Sequence, residues 1–511
     1  MLILVLGLLL SLFSSNVFAQ APITIQLNNS QIISLSIDSG DLQHFYFPVE
    51  TATILALSTI HDSFTKRDIS PIYLTLTSCS QPTPPDNYQG QVPSLDVFLS
   101  LSNDNTLPGP SNGIPVNGSF GGRTSWEGDS TFPKVWIGVV APTLNDHWTG
   151  SWTFEIGIST QQWMHPPLLT GSLGEPAMVL DDTDTTHALF LTSPYESSTA
   201  PNVSLLLAGH VPTELMYSLC AIKPYQITNF SLNTTLTSRG PSVAARQQLY
   251  VSGLTGDAVY IAYLLETQNG QMTFGPPIEI QTKSPDASCR LIYNLGFCDQ
   301  VAYSVPVGAT IGLDTSEIAS NYDTQAKATF DPFGTALSQF NCEKTQYSLV
   351  RNCNDCYMDY KRWLCSVTIP RCTSALSSVP GTQASGQFPA VSVRSIPTNR
   401  SRNPWIDQNM TPGPWVELLP CIDLCYRVVQ SCPPFLQFNC PIGDLAMYQY
   451  GYWQNGELSA NDTTFTYDVN HPTCNRNGLD TTLLVISEAI NIKVSGSLAF
   501  IGLFWMIWWN I

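Results

Sequence analysis

Two strings set the reading of the whole chain: Cys353-Asn-Asp-Cys356-Tyr-Met-Asp-Tyr360-Lys-Arg-Trp363-Leu-Cys365-Ser-Val-Thr-Ile-Pro370-Arg371-Cys372 and Leu418-Leu-Pro420-Cys421-Ile-Asp-Leu-Cys425-Tyr-Arg-Val-Val-Gln-Ser-Cys432-Pro433. At about 100° per residue, Cys421, Cys425, Val428 and Cys432 fall on one helical face within about 60°. Cys353, Cys356, Tyr360 and Leu364 make a similar stripe. Pro420 suits a first helical turn, where its missing N–H costs nothing. Pro370 and Pro433-Pro434 stop the two helices. Helices that turn thiols inward every one or two turns are stapled to their neighbours. The expected fold class is multi-domain, with two sandwich or jelly-roll-like all-β units in front and a disulfide-rich, mainly helical domain behind.

Working outward, Met1 to Phe13 is nearly all Leu, Ile and Val, and Val17-Phe18-Ala19 supplies a small-x-small cleavage site. Residues 1–19 therefore read as a signal peptide that delivers the chain to an oxidising lumen. There the fourteen cysteines, an even number, persist as disulfides: Cys79, Cys220, Cys289, Cys298, Cys342, Cys353, Cys356, Cys365, Cys372, Cys421, Cys425, Cys432, Cys440 and Cys474. Eight N-x-S/T sequons agree, at Asn28, Asn117, Asn202, Asn229, Asn233, Asn399, Asn409 and Asn461. The net charge of −18 argues against nucleic acid or anionic lipid as a partner.

Residues 20–165 read as a first β-sandwich or jelly-roll-like domain. Alternating runs recur at Ile23–Leu27, Ile72–Leu76, Asp96–Ser100, Val135–Val139 and Trp152–Ile156. Gly40 to Phe47 reads as a first turn and strand. A Pro- and Gly-containing join leads to a second sandwich-like domain over 175–285. Within it, the segment from Gln248 to Leu264 is either a sandwich corner, whose Tyr260 bonds back to the backbone, or a hairpin with a core Tyr. Cys79 and Cys220 pair with each other or with later cysteines; spacing does not decide. The cysteine-rich domain takes 286–475, and its twelve cysteines allow on the order of 10⁴ connectivities.

Body segments fall short of the ~20 apolar residues that a spanning helix needs, so the chain is not expected to build a helical pore by itself. Residues 476–511 end in an apolar tail. A helix from Val494 to Ile511 covers ~27 Å at 1.5 Å per residue, against a hydrocarbon core of ~30 Å. The tail reads as a lipid-anchor signal or as a segment packed on a membrane partner.

Catalytic and metal motifs are weak. Gly109-Pro-Ser111-Asn-Gly113 matches G-x-S-x-G but sits in a loop without the strand and helix that a nucleophile elbow requires. Cys353-x-x-Cys356 reads as a structural disulfide position before a redox pair or half a zinc site. Asp181-Asp-Thr-Asp184 lacks the Gly and Glu of a calcium loop and reads as a solvated acidic turn. No enzyme, metal site or cofactor is expected. Trp363, Trp405, Trp415 and Trp453 lie in or beside the cysteine clusters, as interface anchors or as core fillers. Ser377 to Pro404 is a basic island carrying Arg394, Arg400 and Arg402.

The strings around Cys289, Cys298-Asp-Gln-Val-Ala-Tyr303, Cys353–Cys372, Cys421–Cys432 and Phe438-Asn-Cys440-Pro441 resemble a frizzled-like cysteine-rich domain. More specifically, they resemble the fungal stretch-activated calcium-channel auxiliary subunits and, in arrangement, the animal auxiliary subunit of the sodium-leak channel. The resemblance implies a glycosylated, non-pore-forming subunit at the extracellular face of the plasma membrane, or in the endoplasmic reticulum membrane. It implies docking on a large four-repeat calcium-channel pore subunit and support of calcium entry under mating, stretch or stress. Membrane association would come through the tail or the partner. By the same resemblance the docking surface is Tyr357, Tyr360, Trp363, Pro370, Arg371, Trp405 and Trp415. A lipid- or ligand-binding surface receptor and a cell-wall adhesin are the alternatives.

Overall fold

A computed structural model describes residues 23–49, 71–116, 120–129, 133–169, 177–195, 200–240, 244–268, 270–340, 351–374, 392–451 and 473–477. Over these residues the chain is mostly β-sheet, with few helices. The expected signal peptide, nearly all of the tail, Cys342, Asn117, Asn461 and Trp453 lie outside them. The chain divides into two compact units, one formed by 1–168, 206–227 and 265–277 and the other by 169–205, 228–264 and 278–511.

Nine strands of the first unit are β1 Thr24–Gln26, β2 Gln31–Ile37, β3 Leu42–Pro48, β4 Pro71–Ser80, β5 Asp96–Ser100, β6 Ile114–Pro115, β7 Arg123–Asp129, β8 Lys134–Val140 and β9 Trp152–Ser159. They form two sheets, ordered β1-β3-β8-β5-β6 and β2-β9-β4-β7. Phe45, Phe47, Val97, Leu99, Ile137 and Val139 from one sheet and Leu74, Leu76, Trp152, Phe154 and Ile156 from the other share one core. The Phe45 and Phe154 rings meet edge to face at 6.4 Å. Alternation drives this arrangement, since residues two apart share a face and the apolar face of each sheet leaves water against the other. Four of the five alternating runs read from the sequence lie within strands, and the fifth, Ile23–Leu27, brackets β1.

The chain continues through β10 Met178–Thr183, β11 His187–Thr192, β12 Asn202–Ala208, the short helix α1 Leu219–Ile222, β13 Gln226–Ile227, β14 Ser231–Thr237, β15 Arg246–Ser252, β16 Val259–Gln268, β17 Gln271–Phe274 and β18 Ile278–Gln281. Within the second unit β10-β11-β15-β14 is one sheet, and β18 pairs with the first half of β16. Tyr260 supports the sandwich-corner reading: its hydroxyl accepts from Thr255 N at 2.8 Å.

The remaining elements are β19 Cys289–Ile292, β20 Tyr303–Pro306, α2 Thr315–Leu337, α3 Cys353–Thr368, β21 Arg371–Thr373, β22 Val393–Ile396, α4 Pro404–Asn409, β23 Trp415–Leu418, α5 Ile422–Ser431 and α6 Gly443–Gln449. The expectation of a mainly helical, frizzled-like domain is corrected here. Five strands form a β19–β20 hairpin and a β21-β23-β22 sheet among the helices. Short strands such as Trp415-Val-Glu-Leu418 take their pairing from partners far along the chain, which local periodicity does not register.

The two helices read from the sequence are present, but α5 starts later than read: Cys421 is its N-cap, and Pro420 lies before it, bridged to Asn475, instead of in its first turn. A capping box starts α3: Asn352 accepts from Asn354 N and Asp355 N, and the Asp355 carboxylate accepts from Asn352 N at 2.9 Å. It ends before Pro370, and α5 ends before Pro433.

Candidate functional site

In the first unit, Cys79 at the end of β4 bonds Cys220 in α1, across 141 residues. In the second unit the pairs are Cys289–Cys372, Cys298–Cys365, Cys356–Cys432, Cys421–Cys474 and Cys425–Cys440. Cys353 is disulfide-bonded as well. Cys356–Cys432 ties α3 to α5, and Cys298–Cys365 ties α3 to the loop after β19. Because Cys353 and Cys356 have different partners, their spacing is neither a redox pair nor half a zinc site. The sulfurs of Cys79 and Cys220 lie close to Glu155, but their bond to each other leaves no thiolate for a metal.

Gly451 shows how tightly the staples are set. It bridges Cys421 across the backbone, and a Cβ there would stand 2.6 Å from both Cys474 Cβ and Ser392 Cβ. Gly451→Ala should therefore destabilise the module by about 1–3 kcal/mol, read as an earlier urea midpoint. An unchanged midpoint would show that the backbone yields there.

Behind the staples lies an arrangement that overturns the solvated-turn reading of Asp181 to Asp184: all three aspartates are buried. A β-bulge between Leu180 and Asp182 re-aims consecutive side chains. Asp181 takes the forked guanidinium of Arg239, with Nη1 at 2.9 Å from Oδ1. Asp182 accepts from Lys283 Nζ at 2.6 Å, Arg371 Nε at 3.0 Å and Ser304 N at 3.0 Å. Arg371 also donates from Nη2 to Asp181 O at 2.6 Å. Burial alone would raise the Asp182 carboxyl, but the Arg371 and Lys283 charges overcome it and hold the group below the usual carboxylate range. Asp184 is also held low. Burial pushes it up, and hydrogen bonds from His187 and from Leu291 N outweigh that push. These contacts join strand β10 to both strands of the β19–β20 hairpin and to β21. They are a structural joint made of charge.

The residues expected to dock a partner separate on inspection. Pro370, Arg371 and Trp415 are buried, Arg371 in the joint just described and Trp415 with its indole N–H on Ser401 Oγ at 3.2 Å. Tyr360 is half-buried and stacks on Phe333 at 3.7 Å. Trp363 is half-buried and donates to the Tyr450 hydroxyl at 3.0 Å, and Trp405 packs on Tyr322. Tyr357 is exposed. The basic island is partly spent: Arg402 pairs with buried Glu417, and Arg394 lies 4.3 Å over the Tyr448 ring.

The sequence reading missed the outer side of α5 and α6. Their inner sides meet through Ile422, Cys425, Ala446 and Tyr450. Outward they present Tyr426 and Val429, then Ile442, Leu445 and Tyr448, all exposed. Ile442, at the N-cap of α6, is 85 % exposed. The i, i+3 spacing of 442, 445 and 448 was the available signal, but the helix is short and its polar neighbours are few.

Among the described residues, the sequon asparagines Asn28, Asn202, Asn229, Asn233, Asn399 and Asn409 are all exposed. Gly109 to Gly113 closes a turn, with Gly113 N on Gly109 O at 2.8 Å, and no strand-to-helix elbow is built.

Residues 71–475 match the family model of Mid1, the stretch-activated Ca2+-permeable channel component. The chain belongs to this family. It is a family of channel components rather than of enzymes. Among fungal relatives, the chain is 34% identical over 291 residues to the stretch-activated cation channel yam8 of Schizosaccharomyces pombe, covering 54% of this chain and 57% of that protein. It is 32% identical over 274 residues to the stretch-activated cation channel MID1 of Saccharomyces cerevisiae, covering 52% and 45%. A Cryptococcus neoformans MID1 is 28% identical over 288 residues, covering 49% and 45%. The matched region thus spans about half the length of these relatives. For this Mid1-family chain, the matched segment contains the whole described cysteine-rich region and most of both β regions.

Proposed function

We propose that this Mid1-family chain is a non-pore-forming auxiliary subunit that docks, from the extracellular face, on a four-repeat pore subunit of a plasma-membrane calcium-influx channel. The observation that carries this reading is the cysteine-rich module of a channel-component family. Its described cysteines are consumed in disulfides, which persist outside the cytosol. The exposed sequon asparagines support the same compartment. No described helix is long and apolar enough to cross a membrane. We place the three modules at 20–165, 175–285 and 286–475, behind a cleaved signal peptide and ahead of a membrane-associated tail.

The docking face in this reading is the outer side of α5 and α6 with Tyr357. Aromatic side chains already fixed by disulfide-tied helices lose little freedom on binding and make strong anchors. The test is a mild-detergent pull-down of the tagged chain carrying Tyr426→Asp and Leu445→Asp. Export and surface level should be unchanged, while the large co-purifying pore subunit and calcium uptake fall at least about tenfold, as loss of an anchor worth ~2 kcal/mol predicts. Normal recovery of the pore subunit would move the docking face elsewhere. Retention in the cell wall with normal calcium uptake after deletion would instead favour an adhesin.

A further inference from the structure

The edge strand β14 carries a sequon in an unusual place. In the sheet ordered β10-β11-β15-β14 it is the outermost strand, and it leaves Leu236 65% exposed. Such an edge invites pairing with another chain unless something covers it. Asn233 sits opposite Tyr250 in the β14–β15 register, so the two side chains share one face of the sheet. Tyr250 is stacked between His187, at 5.2 Å, and Tyr293, at 5.0 Å. Its hydroxyl stands 3.5 Å from Thr315 Oγ1 at the start of α2. The Asn233 side chain lies near the Tyr293 phenol.

Beyond Tyr293 a recess opens, lined in part by Asn294, Thr315, Ser316, Ser320 and Asp323, with a volume of about 360 Å³. That lies at the small end of the ~300–1,000 Å³ range of ligand pockets. Its chemistry is that of a sugar site: an aromatic ring on one side, and hydroxyl and amide groups around it that both donate and accept. Two of its walls are fixed. Asp323 accepts from Phe297 N and Cys298 N, both at 2.7 Å, and Asn294 Oδ1 accepts from Gln248 Nε2 at 2.6 Å.

We propose that an N-linked glycan on Asn233 turns past Tyr293 and seats its first N-acetylhexosamine in this recess. It would be an intramolecular ligand that ties the edge strand to α2. Attachment from a lipid-pyrophosphate-linked oligosaccharide forms an Nδ2–C1 bond as the anomeric C–O bond breaks, releasing the lipid pyrophosphate and one Nδ2 proton. This rests on the extracellular reading above, because a chain that never entered the secretory pathway would carry no such glycan.

The test uses the secreted full-length chain. Glycopeptide mass spectrometry reads occupancy at each sequon, and a timed native peptide-N-glycosidase digestion reads accessibility site by site. The expected result is an occupied Asn233 whose glycan is released at least about tenfold more slowly than those at Asn202 and Asn409. Ser320→Trp, a substitution at an exposed helix position that fills the recess, should bring the Asn233 rate to within about twofold of the others. Should that variant not be exported, Ser316→Trp makes the same measurement. Asn233→Gln should speed hydrogen exchange of the backbone amides of 315–320. Equal release rates in the unsubstituted chain, or a slow rate that survives both recess-filling variants, would overturn the proposal. So would a bare Asn233 beside an occupied Asn202. If every sequon is bare, the extracellular reading falls with it.

Discussion

Asp182→Asn should destabilise the second unit by about 3–5 kcal/mol, because it strips the anion from between Lys283 and Arg371 and leaves two buried cations without their paired carboxylate. The amide is nearly isosteric and can still accept from Ser304 N, so the loss is one of charge and not of shape. In cells the variant should be retained instead of exported. In purified protein the urea midpoint should fall. The partners act as a unit, so Asp182→Asn combined with Lys283→Met should cost less than the sum of the two single changes, with a coupling of about 0.5–3 kcal/mol. Strictly additive single changes would refute a shared joint.

The same group sets a pH dependence. The folded-state pKa of Asp182 lies below its unfolded value, so the unfolded chain binds the proton first and stability falls as pH drops. The contribution is complete above the unfolded value of about 4 and is lost below it, as pH passes down through the folded value. Asp184 and Asp299 are held low as well, each raised by burial and lowered more by its hydrogen-bonded partners, and act with the same sign. Unfolding free energy measured at pH 6 and pH 3 should therefore differ more in the unsubstituted chain than in Asp182→Asn. An equal difference in the two proteins would remove Asp182 from the account.

Loss of the Cys356–Cys432 bond is the second large effect expected. This disulfide closes a loop of 76 residues and holds α3 against α5. Cross-links of this kind typically stabilise by ~2–5 kcal/mol, mostly by restricting the unfolded chain. The double change Cys356→Ala with Cys432→Ala should cost that much. A single change should do worse in vivo, because it leaves an unpaired thiol during oxidative folding. The docking face proposed above would lose its support: Tyr426 and Val429 are exposed on α5, and α6 packs on that helix through Ala446 and Tyr450. Surface level and recovery of the pore subunit should fall together. Normal export of both variants with normal calcium uptake would mean that the bond is dispensable for the fold and for docking.

Much of this was legible in the residues alone. Alternating apolar runs such as Val135-Trp-Ile137-Gly-Val139 announce strands because a two-residue period leaves only one side able to enter a core. The thiol stripes on α3 and α5 follow from the 3.6-residue turn, and Asn352 with Asp355 marks where α3 begins. The cysteine strings also carried the family. Helix α2 was equally readable and was passed over. Asp314 and Glu317 make its capping box, and Ile318, Tyr322, Ala326 and Phe330 its buried stripe.

What the chain specifies by itself is whatever depends on neighbours a few residues away: strand alternation, helix caps and sequons. Tertiary structure alone decided which cysteine meets which, since every pairing within the combinatorial set uses the same local geometry. It also decided that Asp181 to Asp184 is interior. An acidic run is soluble by default, and it enters a core only when Arg239, Lys283 and Arg371, distant in sequence, arrive with compensating charge. Arg371 moved from the expected surface to the interior for the same reason.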